Sequence, residues 1–148
     1  VFDPESLALA SGGGYNLTDV HDGLSVATAG DSVLLGRRSG EVIEELILFD
    51  LSAGPVPAPP PGPWYQEISG DVQGLAMEPG ARYAFAATNN EAAELQVINM
   101  AIFAQGQPPV VEIGNPDLGG GRAVAYDTQN DRVVLATDRA LLLYTPAP

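Results

Sequence analysis

The chain has no cysteine, no lysine and only one histidine in 148 residues. Without cysteine there is no disulfide, no thiolate nucleophile and no thiolate-bound metal. Its six arginines stand against nineteen acids, for a formal charge of −13. A field of that sign repels phosphate backbones and anionic lipid, so nucleic acid and membrane surfaces are poor partners, while cations and basic proteins remain open. No apolar run reaches the length of a spanning helix, so membrane insertion is not expected, and no basic-then-apolar leader opens the sequence. Position 1 is Val rather than Met, from which a processed chain or a piece of a longer one is expected.

What is present suits a globular domain covering 1–148. Hydrophobic residues make up 45%, and Gly 17 with Pro 13 supplies many turns, the composition of an all-β protein. One pattern recurs three times at a spacing near fifty residues: apolar strand, turn, apolar strand, loop, third strand. The copies open at Leu24, Leu75 and Ala123, and their third strands begin at Leu46, Leu95 and Leu141. Further β-prone segments, 64–68 and 110–113, follow the first two copies and supply a fourth strand. Self-similarity at this period marks an architecture in which each unit buries its faces against its neighbours. The expected fold is therefore a β-propeller of about three four-stranded antiparallel blades, 24–68, 75–113 and 123–145, with an additional amino-terminal strand at 6–10. A sandwich would match the strand lengths but not the recurrence.

The middle copy carries a resemblance. Tyr83-Ala84-Phe85-Ala86-Ala87-Thr88-Asn89 followed by Leu95-Gln96-Val97-Ile98-Asn99 resembles the repeat of the YVTN family of β-propellers, in which a Tyr-Val-Thr-Asn strand precedes one ending in Ile-Asp. The preceding Gly74–Arg82 stretch is similar to that family's Gly-Ile-Ala-x-Ser-Pro-Asp-Gly-Lys turn. The first copy keeps the ending Leu48-Phe49-Asp50, whereas the third has Tyr144-Thr145 there. The motif is structural, so the resemblance implies a fold and no catalytic residues.

Three blades span too small an angle to close, and the outermost two would show apolar faces to water. The ring is expected to be incomplete, finished either by further chain or by oligomerisation. In the second case two copies form a six-bladed ring, each amino-terminal strand completing the other's last blade.

Loops joining fourth to first and second to third strands fall at one end of such a stack. They hold ten of the nineteen acids, about twice an even share: Asp19, Asp22, Glu41, Glu44, Glu45, Asp71, Glu91, Glu94, Asp117 and Asp138. A cation or basic-ligand site there competes with ordinary surface charge, partly neutralised by Arg37, Arg38, Arg122 and Arg139. The metal candidates are Asp19, His21 and Asp22 in one loop and Asp127 and Asp131 in another. Calcium is the cofactor that the oxygen-rich 127–131 turn would accept, although Asp and Asn also make turns by bonding their own backbone. With one histidine, no lysine and no nucleophile elbow, no catalytic set is found.

The connections at the opposite end, 52–63 and 100–109, contain no charge. The first is proline-rich and should adopt polyproline II, as a docking segment or a stiff bridge. Trp64, Met100, Ile102 and Phe103 beside these connections are the candidate interface residues. The function expected is a non-catalytic binding or scaffold module that contacts other proteins or itself, placed in the periplasm, on the cell surface or outside the cell. The alternatives are a propeller enzyme of lactonase or dehydrogenase type, or a lectin-like sugar binder, either using the acidic loops.

Overall fold

The computed structural model describes residues 23–38, 45–52, 65–103 and 111–145. They form three successive antiparallel sheets, each built as a meander in which every strand pairs with the next. The first holds β1 (Gly23–Ala29), β2 (Ser32–Arg37), β3 (Leu46–Asp50) and β4 (Tyr65–Gln66). The second holds β5 (Val72–Met77), β6 (Tyr83–Thr88), β7 (Leu95–Asn99) and β8 (Val111–Ile113). The third holds β9 (Gly121–Asp127), β10 (Arg132–Thr137) and β11 (Leu141–Tyr144), with no fourth strand paired to β11 among the described residues. One helical turn, α1 (Met100–Phe103), follows β7, and a 3₁₀ turn at Pro116–Leu118 precedes β9. Among the described residues the strands close into no barrel. No helix there is long and apolar enough to cross a membrane.

The sheets stack in chain order, with β5 packed between β1 and β9 so that the three first strands lie side by side. Alternation along each strand sends successive side chains to opposite faces. The first sheet turns Ala27, Ala29, Leu34, Leu46 and Leu48 towards Leu75, Met77, Ala84, Ala86 and Ile98 of the second. The second turns Ala76, Phe85, Ala87, Leu95 and Val97 towards Val124, Val133, Leu135 and Leu142 of the third. Covered on both sides, β6 reads as an unbroken apolar run, Ala84–Ala87, with Thr88 also fully buried.

Each first strand carries the same irregularity. The ladder skips one residue between Gly23 and Ser25, between Val72 and Gly74, and between Gly121 and Ala123. A bulge keeps pairing alive past the extra residue while bending the strand. The strands therefore begin at Gly23, Val72 and Gly121, ahead of the expected openings at Leu24, Leu75 and Ala123. After each bulge stands a small residue, Ser25, Gly74 or Ala123, and these let the sheets approach. The Ser25 hydroxyl accepts the Leu75 N–H at 2.9 Å. A Cβ on Gly74 would stand 3.1 Å from Ala123 Cα, and one on Gly36 would be 2.3 Å from Val72 Cγ1.

Candidate functional site

At one end of the stack the loops do come together as the strand order requires, and the bonds that tie them repeat from sheet to sheet. The Asn89 N–H donates to the Asp71 carbonyl at 3.1 Å, and the Asp138 N–H donates to the Gly120 carbonyl at 3.1 Å. In return the Asp71 N–H donates to the Asn89 side chain at 2.8 Å, and the Gly120 N–H to the Asp138 carboxylate at 3.1 Å. Asn89 and Asp138 thus play one part in two sheets, each following the threonine that ends a second strand.

The acids of this end are largely committed to structure. Glu45 and Glu94 are 3% and 0% exposed. The Glu45 carboxylate accepts the Ile68 N–H at 2.9 Å, and that of Glu94 accepts the Asn115 N–H at 2.9 and 2.7 Å. Each clamps the segment just past its fourth strand to the start of its third. Asp138 pairs with Arg122 at 2.6 Å, and the guanidinium, with the Gly120 N–H, holds its carboxyl below the usual carboxylate range. Arg139 donates to the Asp117 carbonyl at 2.9 Å. A solvent-facing acidic surface is therefore smaller than loop composition implies, because two of its acids point inward. Asp19, His21, Asp22, Glu41 and Glu44 lie outside the described residues.

The turn at 127–131 is held by its own donors. Asp127 accepts N–H bonds from Gln129 at 3.1 Å and Asn130 at 3.4 Å, the Asn130 amide at 2.8 Å and the Arg132 guanidinium at 2.8 Å. The Asn130 bond leads the causes that lower its pKa. Asp131 accepts from the Tyr126 hydroxyl. Among the described residues no three acidic or histidine side chains come together as a metal-binding group.

The opposite end carries the concave surfaces. Between the second and third sheets lies a groove of about 420 Å³ lined by Tyr83, Phe85, Tyr126, Tyr144, Val97 and Val133, with Glu78, Arg82 and Asp131 at its polar edge. Phe85 and Tyr126 stack with ring centres 5.7 Å apart and planes 10° from parallel. Glu78 is buried and receives both the Arg82 N–H and its guanidinium at 2.9 Å, which orients an otherwise exposed arginine over the groove. The bond to Asp131 and partial burial push the Tyr126 hydroxyl up to about 12. Burial also raises Tyr144. A second hollow, of about 440 Å³, lies between the first and second sheets against Ser32, Leu48, Arg82 and Asn99.

No local sequence pattern announces this groove, since its three tyrosines come from three different strands. Of the interface residues expected from the sequence, Met100 and Phe103 are 7% and 1% exposed and belong to the core beneath their own helical turn. Ile102 is half-buried. Trp64 lies outside the described residues. Asn99 accepts the Ala101 N–H at 3.0 Å, as Asp50 accepts the Ser52 N–H at 2.8 Å, so the polar residue ending the third strand of the first and second sheets opens the turn after it.

No family model matches the chain, and no curated protein matches it. Among solved structures it is similar to the hydrazine synthase of Kuenenia stuttgartiensis, with a TM-score of 0.59 at 9% identity, over 80% of this chain and 30% of that chain. At that identity the likeness is one of fold. The chain spans less than a third of the structure it matches.

Proposed function

We propose that this chain is a run of β-propeller blades of YVTN-like type, acting outside the cytoplasm as a non-catalytic binding or scaffold module. The observation that carries the proposal is the side-by-side placement of β1, β5 and β9, each with a bulge at the same point. First strands gathered along one line while their sheets fan outwards are what radial repetition requires. The Thr88–Asn89 pair and the Asn99 turn support the YVTN likeness, because each makes bonds that recur in a neighbouring sheet.

Non-catalytic action fits the chemistry at hand. Asp50, Asp127 and Asp138 are all held below the usual carboxylate range by hydrogen bonds, which favours the ionised form over a general acid. The ligand-facing surface of this reading is the groove of Tyr83, Tyr126 and Tyr144. Tyrosine supplies wide, rigid, amphipathic contact at small entropic cost, the profile of a protein-binding surface.

A photo-crosslinking amino acid tests it. Placed at Tyr83 and, in a second protein, at Asp138 on the opposite end, it should yield partner adducts from position 83 and none from position 138. Equal capture at both ends, or none at 83, removes the groove as the contact surface.

A further inference from the structure

The outer face of the third sheet is apolar and open. Its cross-strand rows are Ala125–Val134–Leu143 and Ala123–Ala136–Leu141. Leu141 is 70% exposed and Leu143 56%. Register identifies this face. In the second sheet the matching rows are Ala76–Phe85–Val97 and Gly74–Ala87–Leu95, and those pack against the third sheet. In the first sheet the face of the same parity, with Ala27 and Leu34, packs against the second. The covering strand is each time the next sheet's first: β5 lies on β1 and β2, and β9 on β5 and β6.

On the opposite face of the first sheet, Ile47 and Phe49 of β3 are buried, and β1 is the part left open among the described residues. Val26 is 59% exposed, Leu24 39%, and Thr28 is also exposed. Val26 occupies the position of Leu75 and Val124 with respect to the bulge, and both of those residues pack inward against the preceding sheet. Ser25 similarly matches Gly74 and Ala123, the small residues through which sheets approach.

We propose that the open face of the third sheet, with Ala125 and Val134 of β9 and β10 at its centre and Leu141 and Leu143 beside them, receives the open face of β1, centred on Val26, from a second copy of this chain, continuing the inter-sheet contact the chain already makes twice. The contact is head to tail, and two copies that satisfy both ends close on themselves. It rests on the stacked-blade reading above and names the partner of its two free ends. The row beside Ala125 and Val134 holds the paired Asp127 and Arg132, which cancel, so the −13 carried by each copy acts only at long range and added salt should tighten the pair.

Light scattering during gel filtration at micromolar concentration should give the mass of a dimer. Leu143→Glu and Val26→Glu should each weaken association roughly tenfold or more. Mixed one to one, the two variants should recover a pair, because each keeps the face the other has lost. A wild-type monomer across this range overturns the proposal and leaves the faces to further chain. So does a Val26→Glu variant that dimerises as well as wild type while Leu143→Glu does not, which would mean that the third sheet meets itself. Hydrogen exchange on the same samples separates the two levels: protection of β5 and β6 in a monomer retains the stack and rejects only the contact, whereas their rapid exchange rejects the stack.

Discussion

The Glu94 carboxylate grips the Asn115 backbone N–H through both oxygens, at 2.9 and 2.7 Å, from a side chain with no exposure to solvent. The same bond recurs one unit earlier between Glu45 and Ile68. Register makes the two equivalent: Leu46 pairs with Gln66 and Leu95 with Ile113, and in each case the glutamate precedes the leucine while the donor lies two residues past its partner. The third sheet has Ala140 at this position.

Glu94→Ala should lower stability by about 1–3 kcal/mol, because it takes the acceptor from the Asn115 N–H just past β8 and empties a fully buried site. Glu94→Gln, which keeps an acceptor, should lose less. Urea unfolding followed by circular dichroism measures both, and equal losses would show that volume rather than the bond matters.

Two glycines should separate steric from conformational cost. A Cβ at Gly121 would lie 2.3 Å from the Glu94 carbonyl oxygen, so Gly121→Ala must move backbone. Gly30 has φ of +56° with nothing within 4 Å of a Cβ, so Gly30→Ala should cost only about 1 kcal/mol of left-handed strain. The expected order of melting temperatures is wild type, then Gly30→Ala, then Gly121→Ala.

Phe85→Ala should destabilise by about 3–5 kcal/mol, since the ring is buried between sheets and its loss leaves a cavity beside Tyr126. Phe85→Leu, which refills most of that space, should recover the greater part when both are unfolded in urea.

Alkaline stability should depend on Tyr126. Its folded pKa is raised from 10.0 to about 12, so between those values the folded chain holds a proton that the unfolded chain has released. That contribution is present in full below pH 10 and is lost as pH rises towards 12. Tyr126→Phe should flatten the fall in chemical-denaturation midpoint across this window, and an unchanged slope would assign the fall to other groups.

Strand positions were legible because alternation and turn residues act locally: Gly30-Asp31 closes β1 onto β2 just where the sequence breaks, and 110–113 contains β8. The fates of Glu45 and Glu94 were less so. Loop acids are ordinarily solvated, and only the recurrence of Glu-Leu at the head of two third strands hints that these point inward. Met100 and Phe103 follow a strand in a charge-free stretch, which suits an exposed contact or a buried plug equally; α1 settles it by turning both into the core. The groove could not be read, because it brings Tyr83, Tyr126 and Tyr144 together from strands up to sixty residues apart, and no local pattern encodes that meeting.

The repeated bulge has a consequence for how such a molecule can change length. Because the ladder slips at one fixed point in every unit, and small residues at that point set the spacing to the next, each unit presents the same joint to the one that follows. A second copy of 71–120 inserted ahead of Gly121 would meet familiar surfaces at both seams. Insertion at that joint should therefore be better tolerated than insertion within any one sheet.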